Sequence, residues 1–402
     1  MHHSISDIKG FKCWGAHVGI KSKRRDLAII FSSTPASAAA IFTRNLVVAE
    51  PVKLSRKHVK DGIIQAIVVN SGNANACTGE KGRQAAEKTA EVAAEELGIK
   101  KENVLVASTG IIGEPFPIDK VVDGIKYKVV PKLSNRKIAG TLTSNAILTT
   151  DTFAKEGYSN FKIGKKKIML AGIAKGSGMI HPNMGTMLGF IISDLAISSE
   201  LLREALLEVN EKTFNMISVD GDTSTNDMLA VLCNGAAGNR KITEKNDNYY
   251  KFVEKLEELA RYLAKLIVSD GEGSTKFIEY EVTGAPDDEG ARKIARTISD
   301  SNLVKTAVFG RDPNWGRIVA AAGRAGVDFD PDKIDLIIGF KDPVQILEKS
   351  QPTDHNRTMV KRKMRASQIK IAINLNSGEG KATAWGSDFS YEYVRINAEY
   401  TT

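Results

Sequence analysis

Gly185 and Thr186 stand at the mouth of an apolar run, in "KGSGMIHPNMGTMLGFIISD" (residues 175–194). Thr186 is either an ordinary strand-edge residue or a new N-terminus created by a cut before it. An internal Thr hydroxyl is a weak nucleophile. If the bond between Gly185 and Thr186 is strained, the hydroxyl can attack the preceding carbonyl and move the chain onto an ester. Hydrolysis of that ester frees an α-amine beside the hydroxyl. Such an amine has an unperturbed pKa of roughly 7.7–8.0 and can serve as a general base near neutral pH. A small residue before the Thr permits a tight turn, and a rigid strand after it would hold the hydroxyl still. On spacing alone the strand-edge reading is the commoner one.

A second candidate is "STGIIGEP" (108–115). Thr109 and Gly110, at the end of a strand, can offer a hydroxyl and an unobstructed backbone N–H, the two donors of an oxyanion hole. A plain Gly turn is the alternative. The six histidines show neither HExxH nor His-x-His spacing, which argues against metal catalysis. His181, five residues before Thr186, is a candidate base or a loop histidine without a catalytic role. No G-x-S-x-G elbow, dinucleotide fingerprint or P-loop is present. Six polar, Gly-punctuated clusters remain: residues 70–79, 149–155, 221–227, 270–277, 310–317 and the C-terminal tail. Together they predict loops gathered around a polar pocket.

The elements that must carry these residues are mixed. "DLAIIFSS", "ASAAAIFT", "GIIQAIVVNSG" and "TMLGFIISDLAIS" read as strands. "KGRQAAEKTAEVAAEELGI" reads as a helix closed by Gly98, and "SSELLREALLEVNEKTFN" as a helix opened by a Ser cap. "NYYKFVEKLEELARYLAKLIVSDGEG" is a long amphipathic helix. Without a regular βαβ rhythm, the pattern predicts a mixed α/β chain of two intertwined layers.

The chain has 402 residues, 42% hydrophobic and 26% charged, enough to bury a large core. Three scattered cysteines argue against disulfides and a zinc site. The net charge of +8 is dispersed. Lys165, Lys166 and Lys167, and Lys361, Arg362 and Lys363, lack interleaved aromatics and read as solvated edges rather than a nucleic-acid surface. No stretch is long and apolar enough for a signal peptide or membrane span, so a cytoplasmic setting is expected.

In order along the chain, "NSGNANACTG", "STGIIGEP", "LTTDTFAK", "KGSGMIHPNMGTMLGFIISD", "GDTSTNDM", "DGEGSTKF", "FGRDPNWGR" and "WGSDFSYEYVRINAEYTT" resemble the ornithine acetyltransferases, or glutamate N-acetyltransferases, of arginine biosynthesis. The resemblance covers essentially the whole chain. It implies a two-domain, sandwich-like α/β fold with the Thr nucleophile at the start of a strand. It also implies self-cleavage into an α chain (1–185) and a β chain (186–402), assembled as α2β2. Thr186 would be the nucleophile in both cleavage and acetyl transfer, with Thr109 and Gly110 as the oxyanion hole. Thr150, Lys175, Thr186, Glu272, Asn397 and Thr402 would bind substrate. Lys175, Asn397 and Thr402 are expected to serve the amino-acid head and Glu272 the ornithine tail. The implied reaction is ping-pong, from N2-acetylornithine to glutamate, without metal or redox cofactor. Some members also take acetyl-CoA as first donor. The family usually has Ala before the Thr, where this chain has Gly185. A self-processing aminopeptidase or amidase, or a non-catalytic amino-acid-binding protein, are the alternative classes.

Overall fold

The computed structural model describes residues 3–181, 187–355 and 357–399, so Gly185, Thr186 and Thr402 lie outside the described residues. In chain order the strands of the first sheet are β1 (Phe11–Ala16), β2 (Leu27–Phe42), β3 (Ile63–Asn73), β4 (Val104–Ile111), β5 (Lys155–Ile163), β6 (Lys166–Lys175) and β7 (Leu188–Ser193). After β8 (Ile217–Ser218), β9 (Met228–Cys233) returns to that sheet. The second sheet takes β8 with β10 (Phe277–Ala285), β11 (Asp335–Ile338), β12 (Val344–Glu348), β13 (Gln351–Pro352), β14 (Gln368–Asn374) and β15 (Gly380–Ser387).

The first sheet has the order β4-β3-β2-β9-β7-β6-β5, with β1 also paired to β2. β7 and β9 follow residue 186 in the chain, yet they sit between β2 and β6. Residues from both sides of that position therefore build one sheet. Every residue of β7 and β9 is buried. Their unbroken apolar runs reflect a strand covered on both faces.

The layer between the sheets is helical. Helix Ser199–Lys212 starts where the Ser198 side chain accepts the Leu201 N–H, and it packs on β2. Helix Asp247–Ser269 buries Phe252, Leu256, Leu259, Leu263 and Ile267 at three- and four-residue spacing. It contacts β5 and β6 on one side and β15 on the other. One apolar core thus runs from Ile168 and Leu170 through this helix to Ile278 and Ile371. The outcome is the mixed α/β, sandwich-like architecture expected.

Two elements differ from the pattern reading. "DLAIIFSS" and "ASAAAIFT" form one strand, β2, and not two. Its first part pairs with β1 and β3, and its second part, Ser37–Phe42, pairs with β9. The register against β3 shifts between Phe31 and Ala36, around Pro35, which has no N–H to give a ladder. The hairpin β5–β6 was not anticipated. Lys165, Lys166 and Lys167 lie at its exposed turn, where a solvated edge was expected.

Candidate active site

Thr109 and Gly110 end β4, opposite Ser71 and Gly72 of β3. Gly110 has φ +133°, and a Cβ there would run into the backbone of Gly72 and Asn73. Only glycine fits both demands. The strand end is held from behind: the Ser108 hydroxyl donates to Asn70 Oδ1 (2.5 Å), and Asn226 Nδ2 donates to the Ser108 carbonyl (2.9 Å).

Lys175 ends β6 and is 4% exposed. Its Nζ donates to Thr109 Oγ1 at 3.3 Å and lies 4.0 Å from Asp151 Oδ2. Burial pulls the Lys175 ammonium below its ordinary range, against the attraction of Asp151. Beneath it, Lys155 Nζ bridges Asp151 Oδ1 (2.7 Å) and Asp270 Oδ2 (2.6 Å), all three side chains being buried. Gly176 N–H and Thr149 N–H also donate to Asp151. Burial would raise the Asp151 carboxyl, but Lys175 and Lys155 outweigh it and hold it at about 2.

Asp270 closes helix Asp247–Ser269, so its bond to Lys155 fixes the helix end just before Glu272. Glu272 lies over Gly178, where a Cβ would collide with the carboxylate. Asn397, on the C-terminal helix Tyr391–Glu399, donates to Glu272 Oε2 (3.0 Å). The reading above grouped Asn397 with Lys175; here its amide is bonded to Glu272. Thr150 Oγ1 is 2.6 Å from Ser177 Oγ.

All six described candidates, Thr109, Gly110, Thr150, Lys175, Glu272 and Asn397, line one cavity of about 270 Å³. Gly185, Thr186 and Thr402 are outside the described residues. Four of the six polar clusters contribute lining: 149–155, 221–227, 270–277 and the tail. The segment 70–79 instead braces β4, and 310–317 caps helix Trp315–Gly323 through Asn314. His181 does not line the cavity; it faces Ser218, Asp300 and Arg296. Burial lowers its pKa while Asp300 opposes.

Residue-by-residue reading missed Asp151, Lys155, Asp220 and Asp227. Asp151 and Lys155 lie inside "TTDTFAK" and Asp227 inside "GDTSTND", and Asp220 immediately precedes it. The motifs signalled them, but their partners are remote in sequence. Asp220 accepts from Met179 N–H (2.5 Å) and Ile180 N–H (2.8 Å). Burial pushes its carboxyl up to about 6. Asp227 accepts from Met187 N–H (2.8 Å), and burial raises its carboxyl well above the usual range. Among the described residues, no group of three or more His, Cys, Asp or Glu side chains is arranged to hold a metal ion. None of their helices is long and apolar enough to cross a membrane.

Fold and cavity together define a mixed α/β protein with a small polar pocket, lined by acids and one buried ammonium beside a Thr-Gly strand end. The ArgJ family model matches residues 12–402, and the chain belongs to the ArgJ family. The "arginine biosynthesis bifunctional protein ArgJ" of Shouchella clausii is 47% identical over 401 residues, covering 99% of this chain and 96% of that one. The protein of the same name from Symbiobacterium thermophilum is 47% identical over 396 residues, covering 98% and 97%. The crystal structure of the Bacillus halodurans arginine biosynthesis bifunctional protein argJ is 44% identical, with a TM-score of 0.52, covering 54% of this chain and 100% of that chain.

Proposed function

We propose that this chain, an acyltransferase of arginine biosynthesis, moves an acetyl group from N2-acetylornithine to glutamate through an acetyl ester on Thr186. The observation that carries the reading is the 3.3 Å contact between Lys175 and Thr109, inside a cavity that also holds Gly110, Thr150, Glu272 and Asn397. β7 supports it: Leu188 pairs with Lys175, so the chain reaches that strand beside the cavity wall, two residues after Thr186.

Activation begins with Thr186 Oγ attacking the Gly185 carbonyl. The C–N bond breaks, the nitrogen takes a proton, and an ester forms. Water then hydrolyses the ester, leaving the Gly185 carboxylate and a Thr186 with a free α-amine. The solved Bacillus halodurans chain corresponds in extent to 54% of this chain, the share that residues 186–402 represent.

In the transfer half-reactions, the amine takes the Thr186 hydroxyl proton and Oγ attacks the acetyl carbonyl of N2-acetylornithine. The tetrahedral oxyanion is met by the Thr109 hydroxyl and the Gly110 N–H. Because Lys175 donates to Thr109 Oγ1, the Thr109 proton is left free to point at the oxyanion. Collapse expels ornithine, whose nitrogen takes the proton back from the Thr186 ammonium. The glutamate amine then attacks the Thr186 ester, gives its proton to Thr186 as the Oγ–acyl bond breaks, and leaves as N-acetylglutamate. Lys175 supplies the cation for a substrate carboxylate, and Glu272 the anion for the ornithine ammonium. Neither step calls for a metal or redox cofactor. Acetyl-CoA as an alternative first donor, a cytoplasmic setting and an α2β2 assembly complete the reading.

Two-substrate steady-state kinetics test it. Parallel double-reciprocal lines with N2-acetylornithine and glutamate are expected. Release of acetate at the same rate without glutamate would make the protein an amidase instead.

A further inference from the structure

The chain on either side of the bond between Gly185 and Thr186 is anchored to the same loop. On the upstream side, Ile180 gives its N–H to Asp220 and receives the Val219 N–H on its carbonyl (2.7 Å). Met179 N–H adds a second bond to the Asp220 carboxylate. On the downstream side, Met187 gives its N–H to Asp227 Oδ1 and receives the Met228 N–H on its carbonyl (3.1 Å). Between these anchors the loop sends Asn226 to the Ser108 carbonyl, next to Thr109. Asp227 is 1% exposed, and the Thr43 hydroxyl beside its carboxyl only partly offsets the burial. A buried carboxyl is a costly way to hold one backbone N–H unless the position it fixes matters.

We infer that the loop 220–227 is a processing template, in which Asp220 and Asp227 are positioning residues that hold the chain on both sides of the scissile bond and register it against Thr109. The inference rests on the self-cleavage reading. Local distortion persists only when the surroundings over-determine it. The bonds at Ile180 and Met187 supply fixed points on the two sides. The same contacts serve after the cut. Asp227 continues to hold Met187, and so the residue bonded to Thr186. Asp220 continues to hold Ile180 and Met179, the latter in the cavity wall.

The test is time-resolved intact mass of freshly translated chain, for wild type, Thr186→Ala, Asp227→Ala and Asp227→Asn. Asp227→Ala should slow appearance of the fragment beginning at Thr186 by at least roughly tenfold, since small misplacements of reacting groups are costly. Asp227→Asn retains an oxygen that can accept the Met187 N–H and should restore most of the rate. Once processed, Asp227→Ala should lower kcat for acetyl transfer while KM for N2-acetylornithine stays within about twofold. Cleavage of Asp227→Ala at the wild-type rate, or Asp227→Asn as slow as Asp227→Ala, overturns the template while wild-type cleavage still upholds the self-processing reading. A wild type that never yields the fragment overturns both.

Discussion

The Thr109 hydroxyl and the Lys175 ammonium are 3.3 Å apart, although β4 and β6 have four strands between them in the sheet. In a flat sheet, spacings of about 4.8 Å per strand would by themselves hold them roughly 24 Å or more apart. The sheet is therefore strongly bent, and its outer strand ends converge. Within the sheet, β2 leaves β3 and takes up β9 across the register shift around Pro35. The cavity is a product of that curvature.

Thr109→Ala should lower kcat by about 10²-fold or more through loss of one oxyanion donor. Ornithine affinity should change little, because the donor acts on charge present only in the transition state. Thr109→Ser keeps the hydroxyl and should recover most of the rate. An ornithine Kd that weakens as far as kcat falls would make Thr109 a binding residue.

Gly110→Ala should fail by a different route. The added methyl meets the Gly72 and Asn73 backbone at a φ that side chains avoid. A loss of about 1–3 kcal/mol in unfolding free energy is expected from the overpacking, together with slower transfer. Denaturant unfolding of a Thr186→Ala, Gly110→Ala double variant against Thr186→Ala alone measures the stability part without interference from cleavage.

Glu272→Gln should raise KM for N2-acetylornithine more than KM for glutamate. The amide keeps an acceptor for Asn397, so the wall is retained while the charge is lost. Removing a like charge from glutamate's carboxylate can even lower its KM. Equal rises in both KM values would place Glu272 on the shared head of the two substrates.

Much of this site was legible because its motifs are local. "STGIIGEP" keeps Thr109 beside Gly110 whatever the rest of the chain does, and the helix over "KGRQAAEKTAEVAAEELGI" follows from Ala, Glu and Gly98. Long-range pairing was not legible. Lys155 finds Asp270 across 115 residues, and Asp227 finds the Met187 N–H across 40. No spacing rule links such partners, since topology alone brings them together. The β5–β6 hairpin escaped notice because Lys155, Gly157 and Ser159 stand on the β5 face that an alternation would make apolar. Its inner face is packed by helix Asp247–Ser269, which the hairpin's own residues do not reveal.

The buried Lys155, Asp151 and Asp270 cluster predicts a pH signature. The Asp151 carboxyl is held at about 2 against an ordinary value of 3.8, so its folded pKa lies below its unfolded one. Its stabilising contribution is complete above 3.8 and is lost as pH falls toward about 2. Asp151→Asn has no carboxylate to titrate and should lose that part of the acid dependence. It should also be less stable at neutral pH by about 3–5 kcal/mol, the usual cost of breaking a buried ion pair. Denaturant unfolding of both proteins across this pH range measures the difference.

The most direct measurement is the intact mass of the purified protein before and after N2-acetylornithine, for wild type and Thr186→Ala. Wild type should separate under denaturing conditions into two fragments, the second beginning at Thr186. After substrate, that second fragment alone should gain the mass of one acetyl group and lose it when glutamate is added. Thr186→Ala should remain whole and unacetylated. A Thr186→Ala chain cut at the same bond without protease, or an acetyl group carried elsewhere than on Thr186, would contradict the account.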